Sequence, residues 1–287
     1  MRYAIFSVLL MMVLPGSTLN ARSSTGGDDG VFLFQDAVSD TVSQPGRIEQ
    51  VGMEYRFDFF SKPWVRRWHI VGLRTDVDVK GSRVIGRINY GRLVGANLGE
   101  VAGGNLQYQV EAYPRLGPSD YAYLALAYSG SKLFPGQQYG AEWFHSFDKG
   151  FEASLGLHYL RWKDPFWFYT GSVGKYLGNY WFSLRTYISS AEKLTGQTYT
   201  FSARRYLATG DDYLGLMLEY GTSPEDLSYL IDFPEIKRLR SLGARVSYQR
   251  LLNNWLFKAE LGYRNEEYRA DLTRDHLNTR LHLLYHF

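Results

Sequence analysis

The chain has 287 residues, no cysteine and a formal net charge of +3 at pH 7. Without cysteine it can form neither disulfides nor thiolate metal sites, and so small a charge argues against a nucleic-acid partner or a polybasic membrane anchor. Aromatic residues make up 16% of the chain, with 23 Tyr, and there are 29 Gly. This composition favours β-structure over helix.

The first 46 residues precede the predicted fold. A basic start at Arg2 is followed by an apolar run from Ala4 to Leu14 and then by small residues suited to cleavage after Ala21. Because the run is too short for a membrane-spanning helix, it predicts a cleaved signal peptide over residues 1–21, with an uncleaved anchor as the alternative. Residues 22–46 are small and polar and are predicted to form a flexible periplasmic lead-in to a single domain, residues 47–287.

From residue 47 onward, apolar and polar residues alternate. In EQVGMEYRFDFF the odd positions from Val51 to Phe59 are apolar, whereas the even positions from Gln50 to Asp58 are polar or Gly. The same alternation occurs in FEASLGLHYLRW, NYWFSLRTYIS, SLGARVSYQR and NNWLFKAELGYR. A period of two over ~9–11 residues is typical of a membrane strand that has one face in lipid and the other in a wet lumen.

About fourteen such segments follow one another along the chain. They begin near Arg47, His69, Arg83, Asn105, Asp120, Gln137, Phe151, Phe166, Asn179, Gly196, Asp211, Leu239, Asn253 and Leu277. Even-numbered segments are followed by short connections, at 80–82, 148–150, 177–178 and 251–253. Several odd-numbered segments are followed by longer ones, at 94–104, 222–240 and 265–276.

Bacterial barrels alternate short periplasmic turns with longer outer loops. The pattern therefore predicts an all-β fold, a transmembrane antiparallel up-and-down β-barrel of about 14 strands with both termini in the periplasm; because segment boundaries are uncertain, 12 or 16 strands are also compatible. A soluble β-sandwich would alternate too, but its strands are usually only ~5–6 residues long.

The chain ends in LNTRLHLLYHF, in which Leu281, Leu283, Tyr285 and Phe287 alternate with polar residues and Leu284. In a closed barrel the last strand must pair with the first and cannot carry a free tail into lipid. A terminal Phe after alternating aromatics also matches the C-terminal signature of outer-membrane proteins. We therefore expect the outer-membrane insertion machinery to recognise the strand ending at Phe287.

Five short motifs in the chain are unusually specific: EAYP at 111–114, LFP at 133–135, YTG at 169–171, GKYLGNYW at 174–181 and RRY at 204–206. With these motifs, the chain from about Val51 to its end resembles the YaiO family of outer-membrane β-barrel proteins. RLVGANLGE at 92–100 departs from the family pattern and suggests an altered outer loop. The resemblance implies fold and location but little chemistry. Some family members occur beside glycosyltransferases, which implies a link to surface polysaccharide.

The predicted register turns charges of both signs towards the lumen. The lumen-facing candidates are Glu54, Arg56, Asp58, Arg74, Asp76, Arg87, Glu111, Glu142, Glu152, His158, Arg185, Arg204, Glu219, Arg245, Lys258, Glu260, Arg280 and His282. Two interpretations remain open. In the first, the charges pair across strands and make the wall rigid. In the second, they line a polar conduit in which a glycan contacts the aromatic residues Tyr113, Tyr123, Trp181, Tyr187 and Tyr206. The segment at 222–240 is the best candidate for a loop that folds inward.

Three functions are compatible with these features. The first is a polar channel or export conduit, with surface polysaccharide as its expected link, and the second is a scaffold barrel that docks periplasmic partners. A lipid- or glycan-modifying enzyme is the third and weakest, since Ser154 and His158 share a face but no nucleophile-elbow or metal-binding motif occurs. We predict no catalytic residue, metal or cofactor, and expect as partners outer-membrane lipid, lipopolysaccharide and a glycan, but no nucleic acid.

Overall fold

The computed structural model describes residues 47–62, 65–95, 99–100, 105–161, 165–189, 196–222, 240–269 and 272–287. The predicted signal peptide and lead-in lie outside these residues, as does nearly all of the segment at 222–240 that was expected to fold inward. In the described part of the chain, no helix is long and apolar enough to cross a bilayer.

Fourteen long strands make up most of the described residues. In chain order they are β1 (Arg47–Phe60), β2 (Arg66–Val79), β3 (Ser82–Gly95), β4 (Leu106–Tyr113), β5 (Asp120–Tyr128), β6 (Gln137–Phe147), β7 (Phe151–Arg161), β8 (Pro165–Leu177), β9 (Tyr180–Ser189), β10 (Gly196–Tyr206), β11 (Tyr213–Gly221), β12 (Arg240–Leu252), β13 (Trp255–Arg269) and β14 (Leu272–His286). A two-residue strand, Gly99–Glu100, pairs with the end of β3. The predicted number of strands is confirmed.

Each long strand pairs antiparallel with its neighbours in sequence, and β1 pairs with β14 to close the ring. The closing register runs from Gln50 opposite His286 to Phe60 opposite His276. Two side-chain contacts reinforce this seam, one between Glu54 and His282 (3.2 Å) and one between Asp58 and His276 (2.8 Å). Closure gives the backbone donors and acceptors along the strands a partner within the sheet, which an apolar bilayer would not supply.

The two ends of the barrel differ in their connections. We call the end that holds the chain termini the termini end and the opposite one the loop end. At the termini end, the predicted short connections are tight turns in which Lys80, Gly81 and Asn253 have positive φ. Such turns match the right-handed twist of paired strands. Lys149 in the 3₁₀ turn Asp148–Gly150 also has positive φ.

The loop predicted at 265–276 is wrong. Strand β13 continues to Arg269 and β14 already starts at Leu272. The outward-facing residues of this stretch include Asn265, Glu267 and Asp275, which are polar although they occupy the face that is apolar elsewhere. The hydropathy alternation therefore disappears there, because these strands are longer than the ~9–11 residues that a bilayer requires.

The two faces of the wall have opposite chemistry. Outward-facing apolar side chains are exposed, for example Leu155 at 67% and Leu73 at 58%, whereas inward-facing Asp76 and Glu111 are fully buried. This is the reverse of a soluble protein and is the arrangement expected for a barrel surrounded by lipid.

Aromatic side chains form a belt on the outer wall near each end. At the loop end the exposed rings are Tyr90, Tyr108, Tyr128, Tyr139, Trp167 and Tyr169. At the termini end they are Trp143, Phe147, Phe151, Trp255 and Phe287. Rings with one apolar and one polar side suit the membrane–water boundary, so the two belts mark the two interfaces.

We expect Leu155→Arg to lower the free energy of unfolding by about 2–4 kcal/mol, because this residue faces lipid near the middle of β7, and Leu177→Arg at the end of β8 to cost about 0–1 kcal/mol. Equilibrium unfolding in urea from lipid vesicles measures both. Equal losses at the two depths would contradict the placement of the lipid-facing band.

Candidate functional site

The interior of the barrel is the candidate site, because the predicted lumen-facing charges all lie on its inner face. They are Glu54, Arg56 and Asp58 on β1; Arg74 and Asp76 on β2; Arg87 on β3; Glu111 on β4; Glu142 on β6; Glu152 and His158 on β7; Arg185 on β9; Arg204 on β10; Glu219 on β11; Arg245 on β12; Lys258 and Glu260 on β13; and Arg280 and His282 on β14. Most of them are nearly inaccessible to solvent. Their functional role stays a prediction.

One network of ion pairs crosses strands β1 to β4. Glu54 on β1 contacts Arg74 on β2 and Arg87 on β3, each at 3.1 Å. Arg87 continues the chain of contacts to Glu111 on β4 at 2.7 Å. Asp76 is held by Arg74 (2.7 Å) and by Arg83. Because Arg87 reaches β1 over the intervening strand β2, the network ties together strands that share no backbone hydrogen bonds.

A second network lies on the opposite side of the closing seam. Glu260 on β13 contacts Lys258 at 2.8 Å, with Arg245 on β12 and Arg280 on β14 each at 3.8 Å. Three cations therefore surround one carboxylate. A buried charge is tolerated only when it is paired, so this arrangement constrains the positions of all four side chains.

The third group reaches between strands that are not neighbours. Arg185 on β9 donates to Glu142 on β6 at 2.6 Å, and also to Thr170 and Ser172 on the intervening β8. His158 on β7 faces the same carboxylate at 3.8 Å. The side chain of Arg185 therefore lies across the inside of the wall formed by β6 to β9.

Aromatic residues narrow the lumen at the same level. A packed cluster, the Tyr187 cluster, joins Tyr187 on β9 to residues of β3, β4, β5 and β6, namely Ile85, Tyr113, Tyr123, Ala125 and Phe144. Because β9 pairs only with β8 and β10, this contact crosses the interior. The aromatic residues that were predicted to line the lumen are thus inside the barrel and not in the outer belts.

A second narrowing lies nearer the loop end. The connection between β5 and β6, residues 129–136, turns inward, and we call it the inner loop. Its Leu133 and Phe134 are buried against Trp68, Ile70 and Leu93 on β2 and β3. Gly91 on β3 permits this contact, because a Cβ there would lie 2.7 Å from both loop side chains.

A third aromatic group lies at the termini end. Trp181, Tyr206 and Tyr213 pack together on β9, β10 and β11. The guanidinium carbon of Arg204 is 4.9 Å from the ring centres of both Trp181 and Tyr213. Both distances are within the range of a cation–π contact.

Sequence reasoning missed several functional positions. Leu133 and Phe134 belong to a motif that was noted without a role, since an inward-turning loop leaves no periodic signal. The inward charges Arg66, Asp78, Arg83, Arg264, Glu266, Arg274 and His276 were also missed. They lie close to strand ends, and three of them fall in the stretch mistaken for a loop.

Ser154 and His158, the two residues weighed for catalysis, both lie on the inner face of β7. Ser154 Oγ is 2.6 Å from Ser172 Oγ, and His158 Nε2 is 3.8 Å from the Glu142 carboxylate. Within the described residues, no group of three His, Asp or Glu is placed to hold a metal ion.

Comparison with known proteins gives one family match. The model of the YaiO membrane β-barrel domain matches residues 48–226. This match ends before β12, although the resemblance was expected to continue to the end of the chain. The prediction that the chain is not an enzyme agrees with this family description. A search of curated proteins found no significant match.

Solved structures share the fold at low sequence identity. A bacterial polysaccharide outer membrane secretin has a TM-score of 0.50 at 10% identity, covering 85% of this chain and 100% of that one. OccK11 (OpdR) of Pseudomonas aeruginosa has a TM-score of 0.43 at 10% identity, covering 84% and 97%. An anion-selective porin from Comamonas acidovorans has a TM-score of 0.43 at 11% identity, covering 84% and 100%.

We expect Glu142→Gln to lower the free energy of unfolding by about 3 kcal/mol, because it leaves the buried Arg185 without its carboxylate. Adding Arg185→Met should restore at least half of that loss, since it removes the buried guanidinium that Glu142→Gln leaves without its carboxylate. Unfolding in urea measures both variants.

The control is Arg240→Gln, which breaks an exposed ion pair with Glu267 on the outer wall and should leave stability within error. If Glu142→Gln were as harmless as this control, the interior would be wet at Arg185 and not closed.

Proposed function

Because the chain belongs to the YaiO membrane β-barrel domain family, an outer-membrane β-barrel fold, we propose that it is a narrow polar conduit. In the described residues its interior is narrowed at two levels. The inner loop narrows it towards the loop end, and the Tyr187 cluster with the Arg185–Glu142 pair narrows it further in.

One observation carries this proposal: within the described residues, aromatic side chains and residues 129–136 pack across the inside of a wall that is otherwise polar. Side chains alone fill the interior of a barrel of about eight strands, whereas fourteen strands enclose a larger space. The inner face carries charges of both signs on most strands, which suits a lumen that holds water and polar solutes when open. Rotation of a few side chains and displacement of residues 129–136 would widen the path without breaking the sheet.

The proposal includes an orientation. Tight turns lie at the end that also holds both termini, and bacterial barrels place their short turns on the periplasmic side. We therefore place the termini end in the periplasm and the inner loop at the outer mouth. A solute leaving the cell would first pass the aromatic group of Trp181, Tyr206 and Tyr213, and would pass the inner loop last.

The solute class that we propose is a glycan. The rings of Trp181, Tyr206 and Tyr213 lie at the proposed periplasmic entrance with Arg204 between two of them. Flat rings beside a cation suit stacking on a sugar and hydrogen bonding to its substituents. Polysaccharide also appears in the name of one protein with a similar fold, and it guides which solute to test first.

A scaffold barrel is the second candidate. The observation that favours it is the nearly complete burial of inward charges such as Asp76, Glu111 and Arg185, which describes a filled interior. In that case the short turns at the termini end would be the docking surface for periplasmic partners. The conductance experiment below separates the two candidates.

We expect the unmodified protein to give only small, rare current steps in a planar bilayer. The triple variant Leu133→Ser, Phe134→Ser, Tyr187→Ala should raise single-channel conductance at least threefold, because it removes apolar contacts from both constrictions. In the triple variant, oligosaccharides added on the termini side should block current, and a further Trp181→Ala should weaken that block.

The matched control is Leu116→Ser with Leu207→Ser, two exposed apolar residues in turns at the termini end. This variant should behave like the unmodified protein. If the triple variant folds, as judged by its heat-modifiable mobility in gels, and still shows no current, the conduit proposal is wrong and the scaffold is favoured.

A further inference from the structure

We propose that the outer wall carries a binding site for the phosphate groups of lipopolysaccharide, formed by Arg67 and His69 on β2 and Arg92 on β3. The site lies at the loop end, on the face that is turned towards lipid. It rests on the proposed orientation, which places the loop end in the outer leaflet, but it does not depend on the barrel being a conduit.

The strand register brings the three side chains together. Arg67 and His69 are two residues apart and share the outward face of β2, while Arg92 is directly opposite His69 on β3. Arg67 and Arg92 are therefore diagonal neighbours on one face, a geometry in which Cα atoms lie about 7–8 Å apart. Two long Arg side chains at that spacing can reach one phosphate group or two adjacent ones.

Neither of the residues directly opposite Arg67 carries a charge. On the flanking strands, the residues opposite Arg67 are Phe59 on β1 and Val94 on β3. Elsewhere at the loop end, the outward Arg240 pairs with Glu267, and Asp275 accepts hydrogen bonds from Tyr263 (2.7 Å) and Asn265 (2.9 Å). Arg67 and Arg92 are both exposed on the wall.

His69 is held in a defined position. Its Nδ1 lies 2.9 Å from the hydroxyl of Tyr55, and its ring centre is 4.8 Å from that of Phe57. These contacts fix the imidazole on the outer wall, on the same face as Arg67 and Arg92. A ring fixed by its neighbours loses little freedom when a ligand binds.

The surface next to the site suits acyl chains. Moving from the site towards the middle of the wall, the outward residues are Val71 and Leu73 on β2 and Tyr90 and Ile88 on β3, all exposed. A lipid would thus place its phosphate on the cations and its chains on this apolar surface. Planar guanidinium groups bind phosphate oxygens in a bidentate manner, which makes Arg the suited residue for the headgroup.

The test measures lipid binding to the full barrel in detergent, by the number of lipids retained in native mass spectrometry and by titration. The probes are lipopolysaccharide, phosphatidylglycerol and inorganic phosphate. Arg67→Gln with Arg92→Gln should weaken lipopolysaccharide binding at least tenfold. The charge-matched control, Arg205→Gln with Arg250→Gln on outward positions near the termini end, should change it less than twofold.

Equal binding of lipopolysaccharide to the Arg67/Arg92 variant and the control would overturn the proposal. So would equal binding of phosphatidylglycerol to the unmodified protein, which would make the site a general anionic-lipid surface, and so would competition by inorganic phosphate alone, which would make it a plain anion site. No arm measures current, so failure of the conduit proposal in bilayers and failure of this site are separate results.

Discussion

A bilayer offers no hydrogen-bond partner to a peptide group, and this constraint determines the form of the protein. A sheet with a free edge would leave a row of N–H and C=O groups in hydrocarbon, each at a cost of several kcal/mol. Pairing of β1 with β14 removes that edge. Once the sheet is closed, every strand has one face in lipid and one inside, so the alternation of side chains follows from the backbone requirement and not from a shared apolar core.

Closure of the sheet also places a constraint on the charged side chains of the inner face. Inward charged side chains that are nearly inaccessible to solvent must find partners, because an unpaired buried charge costs more than the fold can supply. The protein solves this with networks that reach past adjacent strands, as when Arg185 on β9 contacts Glu142 on β6. Such contacts add connections that the hydrogen-bonded ladder does not contain, and they make the conformation of the interior depend on a few Arg and Glu positions.

Much of this architecture could be predicted from local pattern. Alternation over 9–11 residues identified most strands, and turn residues such as Lys80-Gly81 and Asn253 marked tight connections, because positive φ favours only a few residue types. The inward side of each strand followed from the same period. Two features could not be predicted. The stretch at 265–276 lost its hydropathy signal where strands extend beyond the apolar band. The inward turn of Leu133 and Phe134 is set by contacts with Trp68 and Gly91, which are far away in sequence.

The seam between β1 and β14 has a consequence for biogenesis. Glu54 meets His282, and Asp58 meets His276, pairs that are 228 and 218 residues apart along the chain. Contacts between residues so far apart in sequence are the slowest to form, because the intervening chain must be ordered before these contacts can stabilise it. Until then the first strand presents an open edge to any other strand nearby. The unfolded polypeptide is therefore open to wrong strand pairing until β14 reaches β1. It gains most from a catalyst that brings these two strands together.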